Sequence, residues 1–354
     1  LGMKAGIEAA FKGVTVKGHT LEFVTLNDNY SPEKTIESTV TLVEEGIFAM
    51  VGNVGTPTAK VSLPILAKSQ VPAVGFFTGA GLLRPGVGDV VNFRASYVQE
   101  TAAVINAALG AGIAPNQVCA FVQNDSYGMA GVAGIKLALE GRPGTEEIVP
   151  LLDDMMSMEG ENPPRNNVGP VGVYERNTLY VREGYDSIKA WEASKGISCR
   201  LIVSVGAYPA VARFTAYARN KGETWVVSAV SFTGADNFRN ALAEFSVRDR
   251  VIMTQVVPPL DSTLPIVQEA RKALGSQFGY VTLEGYIVGK LFIAGLERID
   301  GPITRESFLK AVRGQVFDLG GLPMDFTNDN QGSDLVALTY LTDTGYRALS
   351  TSDW

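Results

Sequence analysis

The sequence predicts an α/β protein built of two similar lobes, each a parallel sheet with crossover helices on both faces. Three observations point there. Apolar, strand-like runs alternate with stretches of helical spacing over most of the chain. The tetrapeptide Phe-Thr-Gly-Ala occurs twice, at residues 77–80 and 232–235, each time closing an apolar run (VPAVGFF and WVVSAVSF). Each copy is preceded by another such run ending in a small-residue turn, IFAMVGNVGTP at 47–57 and LIVSVGAYP at 201–209, with helical spacing between the two. Finally, 354 residues are too many for one ordinary core and suit two. Two similar lobes create a cleft, and a cleft can enclose a ligand.

The elements follow in order. LGMKAGIEAAF has apolar residues at helical spacing, and 21–27 (LEFVTLN) reads as a strand. Ser31 and Pro32 open a helix that runs to 44, with Ser31 as N-cap and Pro32 in the first turn. A strand at 47–52, a helix at 57–69 and a strand at 71–77 complete the first run of alternation. The pattern restarts after Arg94 with a helix at 99–109, a strand at 118–123, a helix at 128–139 and a short strand at 146–149. Residues 153–173 carry Met, Asn, Gly and adjacent Pro163-Pro164 without periodicity, and read as a long loop, either a flap at the cleft rim or an ordered insertion. Helix 182–195, strand 201–205, helix 210–220, strand 226–231 and strand 251–257 follow, the last ended by Pro258-Pro259. Three helices are expected at 264–274, 282–298 and 304–313, then a strand at 335–342 and a turn at 343–345.

Those three helices cannot all pack on the second lobe if the lobes are alike in size. The chain is therefore expected to return to the first lobe near 255 and to cross again near 327, giving three crossings with the one near 95. The expected lobes are 1–95 with 256–326, and 96–255 with 327–354.

Hydrophobic residues at 46% and charged residues at 19% fit a globular chain and exclude disorder. A net charge of −7 argues against nucleic acid as a partner. The longest apolar runs are strand-sized, short of a membrane span. No stretch reads as a signal peptide and the first residue is Leu1, so a mature or trimmed form is expected. The two cysteines, Cys119 and Cys199, each stand at the start of a predicted strand. Two buried thiols are favoured, with a disulfide as the alternative if those strands are neighbours. His19 sits in a Gly-Lys-Gly-His turn, poor ground for catalysis or metal binding.

In open α/β sheets ligands bind at the carboxyl ends of the strands. Gly55-Thr56-Pro57 opens one helix, and Phe77-Thr78-Gly79 follows the next strand. Both turns offer N–H groups and a hydroxyl to a carboxylate, helped by the positive helix N-terminus; the plainer alternative is that Thr56 and Thr78 only cap helices. From the second lobe come Asn124–Gly128 and Gly206–Pro209, each with a Tyr, Tyr127 and Tyr208, whose ring and hydroxyl suit closure over a small amphiphilic ligand. Tyr30 at another strand exit is a lesser candidate. Enzyme motifs are missing: there is no Walker-type loop, no metal-ligand spacing and no Gly-x-Ser-x-Gly elbow, and the one His leaves no usual Ser-His or Cys-His pair. FTGAG at 77–81 lacks the dinucleotide fingerprint, and Asp153-Asp154 reads as a solvated acidic turn. Binding therefore outranks catalysis.

The order of segments resembles the type I periplasmic substrate-binding proteins of ABC transporters, in the branched-chain amino-acid (Leu/Ile/Val-binding) group. The likeness rests on GIEAA at 6–10, NDNYSP at 27–32, Gly52 to Thr56, Asp125 to Gly128, YERNT at 174–178, Gly206 to Pro209, SFTGAD at 231–236, TQVVP at 254–258, LEGY at 283–286 and DFTNDNQGSD at 325–334. It implies two Rossmann-like lobes of the periplasmic binding protein type I fold joined by a three-crossing hinge. It implies a solute-binding component of an importer that encloses an amino acid or an aromatic or aliphatic acid by hinge closure. By position it implies ligand contacts from Gly55, Thr56, Phe77, Thr78 and Gly79 of one lobe and from Tyr127, Tyr208, Ser231 and Phe232 of the other. No catalysis and no cofactor are implied; the partners are a small-molecule ligand and a membrane permease, in a periplasmic or extracellular protein, with a lipid anchor as one form, that is a monomer or weak dimer.

Two departures stand out. Amino-acid binders of the family place a glutamate after the strand that here ends in Ser231 and Phe232, where it pairs with the ligand ammonium. A buried ammonium without an anion is costly, which favours a carboxylate or aromatic acid, with Arg84 or Arg176 as further carboxylate partners. The family also has a strand before its first helix, and this sequence begins at that helix. A ligand-sensing domain of a receptor or signalling protein is the alternative from another class, and a transmembrane helix and kinase after Trp354 would favour it.

Overall fold

The computed structural model describes residues Leu1–Trp354 and contains a seven-stranded sheet, a three-stranded sheet and two two-stranded ones. The chain divides into two units, 1–95 with 257–335 and 96–256 with 336–354, so it passes between them three times. The third passage falls at 335/336, later than the expected 326/327. The reason lies in residues 330–333, which pair with 92–93 inside unit 1: Asn92 N donates to Asn330 O (2.7 Å), Gly332 N to Asn92 O (2.9 Å) and Ser333 N to Phe93 O (2.8 Å).

Unit 1 holds a three-stranded parallel sheet, Met50–Val51, Ala73–Val74 and Val90–Val91 in that order. Helix Thr56–Lys68 connects the first two strands, with Pro57 in its first turn. Helices Gly2–Phe11 and Tyr280–Glu297 pack closely because Gly6 and Gly285 carry no side chain: a Cβ on Gly6 would stand 2.1 Å from Thr282 O, and one on Gly285 2.4 Å from Met3 O. The GIEAA and LEGY segments are therefore two sides of one contact. Residues 21–27 form no strand, contrary to expectation. They pair with nothing in the sheet, and Val24 and Leu26 are about half exposed, so their apolar alternation has no face to cover.

Unit 2 holds a seven-stranded sheet ordered 345–348, 337–342, 251–255, 226–229, 201–205, 118–123, 171–174. Its five inner and far strands run parallel, and the hairpin 337–342/345–348 joins antiparallel. Every residue of the strands from 118 to 255 is buried, as in a sheet covered on both faces. Cys119 and Cys199 are joined in a disulfide, correcting the two-thiol reading. Their strands are neighbours, Cys119 pairing with Ile202 across the ladder, which brings the sulfurs together.

Residues 146–149 are not a strand. Helix Ile148–Ser157 stands there and takes up the start of the expected loop, burying Ile148, Leu152 and Met155 at helical spacing. Pro150 lies in its first turn, where its missing N–H costs nothing. Asp153 is accordingly on a helix, paired with Lys136 at 2.7 Å, rather than in an acidic turn. The remainder, 158–170, is an anchored segment: buried Arg165 donates to Met155 O (2.7 Å), Met158 O (2.8 Å) and Asn124 Oδ1 (3.1 Å), and Asn124 Nδ2 donates to Pro163 O (2.8 Å).

Candidate functional site

In unit 1 two neighbouring strand exits converge. Phe77 N donates to Asn53 O (2.7 Å) and Gly55 N to Phe77 O (3.3 Å), extending the pairing of the parallel strands into their exit loops. Gly55 is the cap residue of helix Thr56–Lys68 with φ 107, a conformation that disfavours any side chain, and a Cβ there would meet the Tyr30 ring at 2.5 Å. The helix has no side-chain cap, so Thr56 is not a capping residue. Its hydroxyl instead meets that of Thr78 at 2.6 Å, both side chains fully buried. Thr78 Oγ1 also accepts from Ala80 N (3.2 Å). Gly55, Thr56, Phe77, Thr78 and Gly79 are thus brought together, with two hydroxyls at the positive end of a helix.

Beneath that loop lies a buried ion pair that sequence reading missed. Arg94 Nε and Nη2 donate to Glu284 Oε2 (3.0 Å) and Oε1 (3.1 Å), and Arg94 Cζ stands 4.9 Å from the Phe77 ring centre. A guanidinium over an aromatic face is attractive, more so away from water.

In unit 2 the strand order reverses between 118–123 and 201–205: strand 171–174 lies on one side of 118–123, and the later strands on the other. Such a switch point is where open α/β sheets bind ligands. The two loops that leave it carry Tyr127 and Tyr208. Asp125 caps helix Ser126–Leu139, its Oδ1 accepting from Tyr127 N (3.0 Å) and Gly128 N (3.4 Å). Its Oδ2 accepts from Gln123 Nε2 (2.7 Å) and Arg176 Nη1 (3.2 Å). Tyr174 donates to Gln123 Oε1 (2.9 Å) and accepts from Ala207 N (2.8 Å), and burial pushes its phenol well above the usual range. This network sets the 206–208 turn.

Tyr127 is fully buried. Its hydroxyl donates to Gly206 O (3.0 Å), which also accepts from Thr233 Oγ1 (2.7 Å), and its ring meets Phe232 edge-on at 4.7 Å. Tyr208 opens helix Tyr208–Asn220 and is 39% exposed. Ser231 N donates to Glu100 Oε1 (2.9 Å), while Ser231 Oγ is buried without a hydrogen-bond partner. Glu100 also accepts from Thr254 Oγ1 (2.7 Å). Tyr127, Phe232 and the 206–208 turn therefore come together in unit 2, with Ser231 beside them. The second Phe-Thr-Gly-Ala copy mirrors the first in one respect: Thr78 and Thr233 each reach back to the turn after the preceding strand.

Arg84 and Arg176 are both engaged by protein groups. Arg176 pairs with Asp125, and Arg84 donates to Gln331 Oε1, Ala80 O and Arg94 O.

The comparisons with known proteins agree with this architecture. The periplasmic binding protein family model matches residues 1–149. A solved structure of a possible leucine/isoleucine/valine-binding protein from Rhodopirellula baltica SH 1 is 32% identical, with 99% of this chain and 92% of that one covered at a TM-score of 0.85. The chain belongs to the periplasmic binding protein family. Its fold is the type I fold of that family. More distant solved structures share the fold. One is an R. palustris ABC-transporter solute-binding protein in complex with benzoate (16% identity, 99% and 90% covered, TM-score 0.76). Another is a Thermus thermophilus branched-chain amino-acid ABC transporter protein with bound valine (14%, 99% and 90%, 0.75). Among curated proteins none matches the sequence. No helix of this binding protein is long and apolar enough to cross a membrane.

Proposed function

We propose that this binding protein is the solute-binding component of an ABC importer, without catalytic activity, that captures a small carboxylate-bearing ligand between its two units by hinge closure and delivers it to a membrane permease. The observation that carries this reading is the Thr56–Thr78 hydroxyl pair, 2.6 Å apart at the start of helix Thr56–Lys68. Two hydroxyls and a helix N-terminus form an anion seat that needs no arginine. Phe77 from unit 1 and Tyr127, Tyr208 and Phe232 from unit 2 would enclose the apolar part of the ligand. Tyr127 contributes its ring, since its hydroxyl is committed to Gly206 O.

The ligand class follows from unit 2. The 229–233 exit presents Ser231 and Phe232, and the adjacent Glu100 is bound by Ser231 N and Thr254 Oγ1. The 229–233 exit itself carries no acidic side chain to meet an α-ammonium, and Glu100 serves there as the acceptor that holds Ser231 N and Thr254 Oγ1, so an aromatic or aliphatic acid without an ammonium fits better than leucine or valine. The unpartnered Ser231 hydroxyl suits a polar substituent on that acid. An extracytoplasmic location is part of the proposal, and the Cys119–Cys199 disulfide supports it, because such bonds persist in oxidising compartments.

A thermal-shift screen tests the ligand class. Benzoate, 4-hydroxybenzoate, hexanoate, leucine and valine are compared on the ligand-free protein. Binding at a hundredfold excess over Kd stabilises by about 2.7 kcal/mol. The expected result is a shift with a carboxylate that lacks an ammonium; larger shifts with leucine or valine than with any other compound would overturn it.

A further inference from the structure

Arg84 holds three acceptors from three different segments of unit 1. Its Nε donates to Gln331 Oε1 (2.6 Å), its Nη1 to Ala80 O (2.9 Å) and its Nη2 to Arg94 O (2.9 Å). Ala80 ends the 77–80 loop that carries Phe77, Thr78 and Gly79. Arg94 is the second-last residue before the first passage out of unit 1, at 95/96, and Gln331 lies shortly before the third, at 335/336. These two outgoing segments are themselves paired, through the hydrogen bonds of Asn92, Gly332 and Ser333. Gln331 passes the connection on, its Nε2 donating to Ser333 O (3.2 Å) and Asp334 Oδ1 (2.8 Å). The same loop rests on the outgoing segment a second time, where the Phe77 ring lies under the Arg94 guanidinium that Glu284 fixes.

We propose that Arg84 is a positioning residue that locks the ligand-contact loop 77–80 to the two paired segments leading into the first and third passages, so that loop and segments move as one body. The functional consequence, that ligand held at Thr78 acts directly on the hinge, rests on the carboxylate-capture reading given above. The chemistry requires arginine. A planar guanidinium offers donors in three fixed directions, whereas an ammonium on a flexible stem cannot meet three separated acceptors at once. A carboxylate-binding role for Arg84 is correspondingly disfavoured, since each of its nitrogens already has a protein acceptor.

Hydrogen exchange on the ligand-free, full-length protein tests the coupling without any ligand. In the wild type, the amides of the turn that follows the loop (Leu83 and Arg84) and of the paired segments (Asn92, Gly332, Ser333) are expected to show protection equal within about threefold, as one cooperative unit. In Arg84→Lys, exchange at 83–84 is expected to rise at least about tenfold while Asn92, Gly332 and Ser333 change little, so the two groups separate. Two outcomes would overturn the proposal: the groups stay together in Arg84→Lys, or all unit 1 amides, including those of helix Tyr280–Glu297, accelerate equally. Should Arg84→Lys fail to fold, Gln331→Ala removes one of the three arms and is expected to split the same two groups; unchanged exchange there overturns the proposal as well. A binding arm uses benzoate. A weaker Kd in Arg84→Lys through faster dissociation supports the functional consequence, and an unchanged Kd refutes it. Absence of benzoate binding to the wild type counts against aromatic-acid capture alone, and the exchange experiment still rules on Arg84.

Discussion

Unit 2 is expected to depend on its disulfide to a degree that can be worked out in advance. Cys119 and Cys199 are separated by 80 positions and both lie in unit 2. The closed loop contains helices Ser126–Leu139, Ile148–Ser157 and Arg182–Lys195, the edge strand Val171–Tyr174 and the anchored 158–170 segment. Cross-linking removes loop entropy from the unfolded chain, and for a loop of this size the chain-entropy account gives about 4.5 kcal/mol at 25 °C. Unit 2 has about 180 residues, and in a domain of that size the loss corresponds to a fall in Tm of roughly 9–18 °C. The assay compares oxidised protein with protein reduced in denaturant and refolded under reducing conditions, by differential scanning calorimetry. Refolding is needed because both sulfurs are buried. No cysteine is replaced, so no cavity or new polar group confuses the comparison. A reduced protein that melts within about 3 °C of the oxidised form would refute the loop-entropy reasoning, the expected fall being several times larger.

Three further outcomes are expected. Gly6→Ala should destabilise unit 1 by about 2 kcal/mol despite alanine's better helix propensity, because its Cβ meets backbone at 2.1 Å, whereas Gly110→Ala, with open space around it, should not destabilise at all; chemical denaturation of both variants checks this. Tyr127→Phe should cost about 1 kcal/mol in a urea melt, since Gly206 O keeps its bond from Thr233 when the phenol is lost. Arg347 hydrogen-bonds both oxygens of Asp353 and holds its carboxyl down at about 2, below the ordinary 3.8. The folded value is the depressed one, so this contribution is present above pH 3.8 and lost as pH falls through about 2; Asp353→Asn should remove that part of the acid sensitivity in a pH-dependent melt.

What could be read in the sequence was what local pattern controls. The strands of unit 2 from 118 to 255 are buried on both faces, so they appear as continuous apolar runs, and their exit loops announce themselves through Gly, Pro, Thr and Tyr. The pairing of Thr56 with Thr78 was accessible because the two turns leave successive strands. Where the signal was misread, the residues themselves show why. The short apolar run at 146–149 passed for a strand, although Ile148, Leu152 and Met155 already carried helical spacing. Residues 21–27 alternate as a strand does, but a strand exists only with a partner. What could not be read depends on distant parts of the chain. The Arg94–Glu284 pair joins residues 190 apart, and Arg84 meets Gln331 across 247, with no local pattern to mark either. The disulfide needed the sheet order, which no single strand reveals.

The capture of a carboxylate at the Thr56–Thr78 pair is tested most directly by isothermal titration of wild type and Thr56→Val with benzoate and with leucine. Removing a hydroxyl that hydrogen-bonds a charged group costs about 1.5–3 kcal/mol, roughly ten- to a hundredfold in Kd. The expected result is benzoate binding to the wild type, weakened by that factor in Thr56→Val, with leucine binding more weakly than benzoate; loss of the buried Thr56–Thr78 hydrogen bond should itself lower the stability of the ligand-free variant by about 1 kcal/mol. Equal affinities in wild type and variant, or tighter binding of leucine, would contradict it.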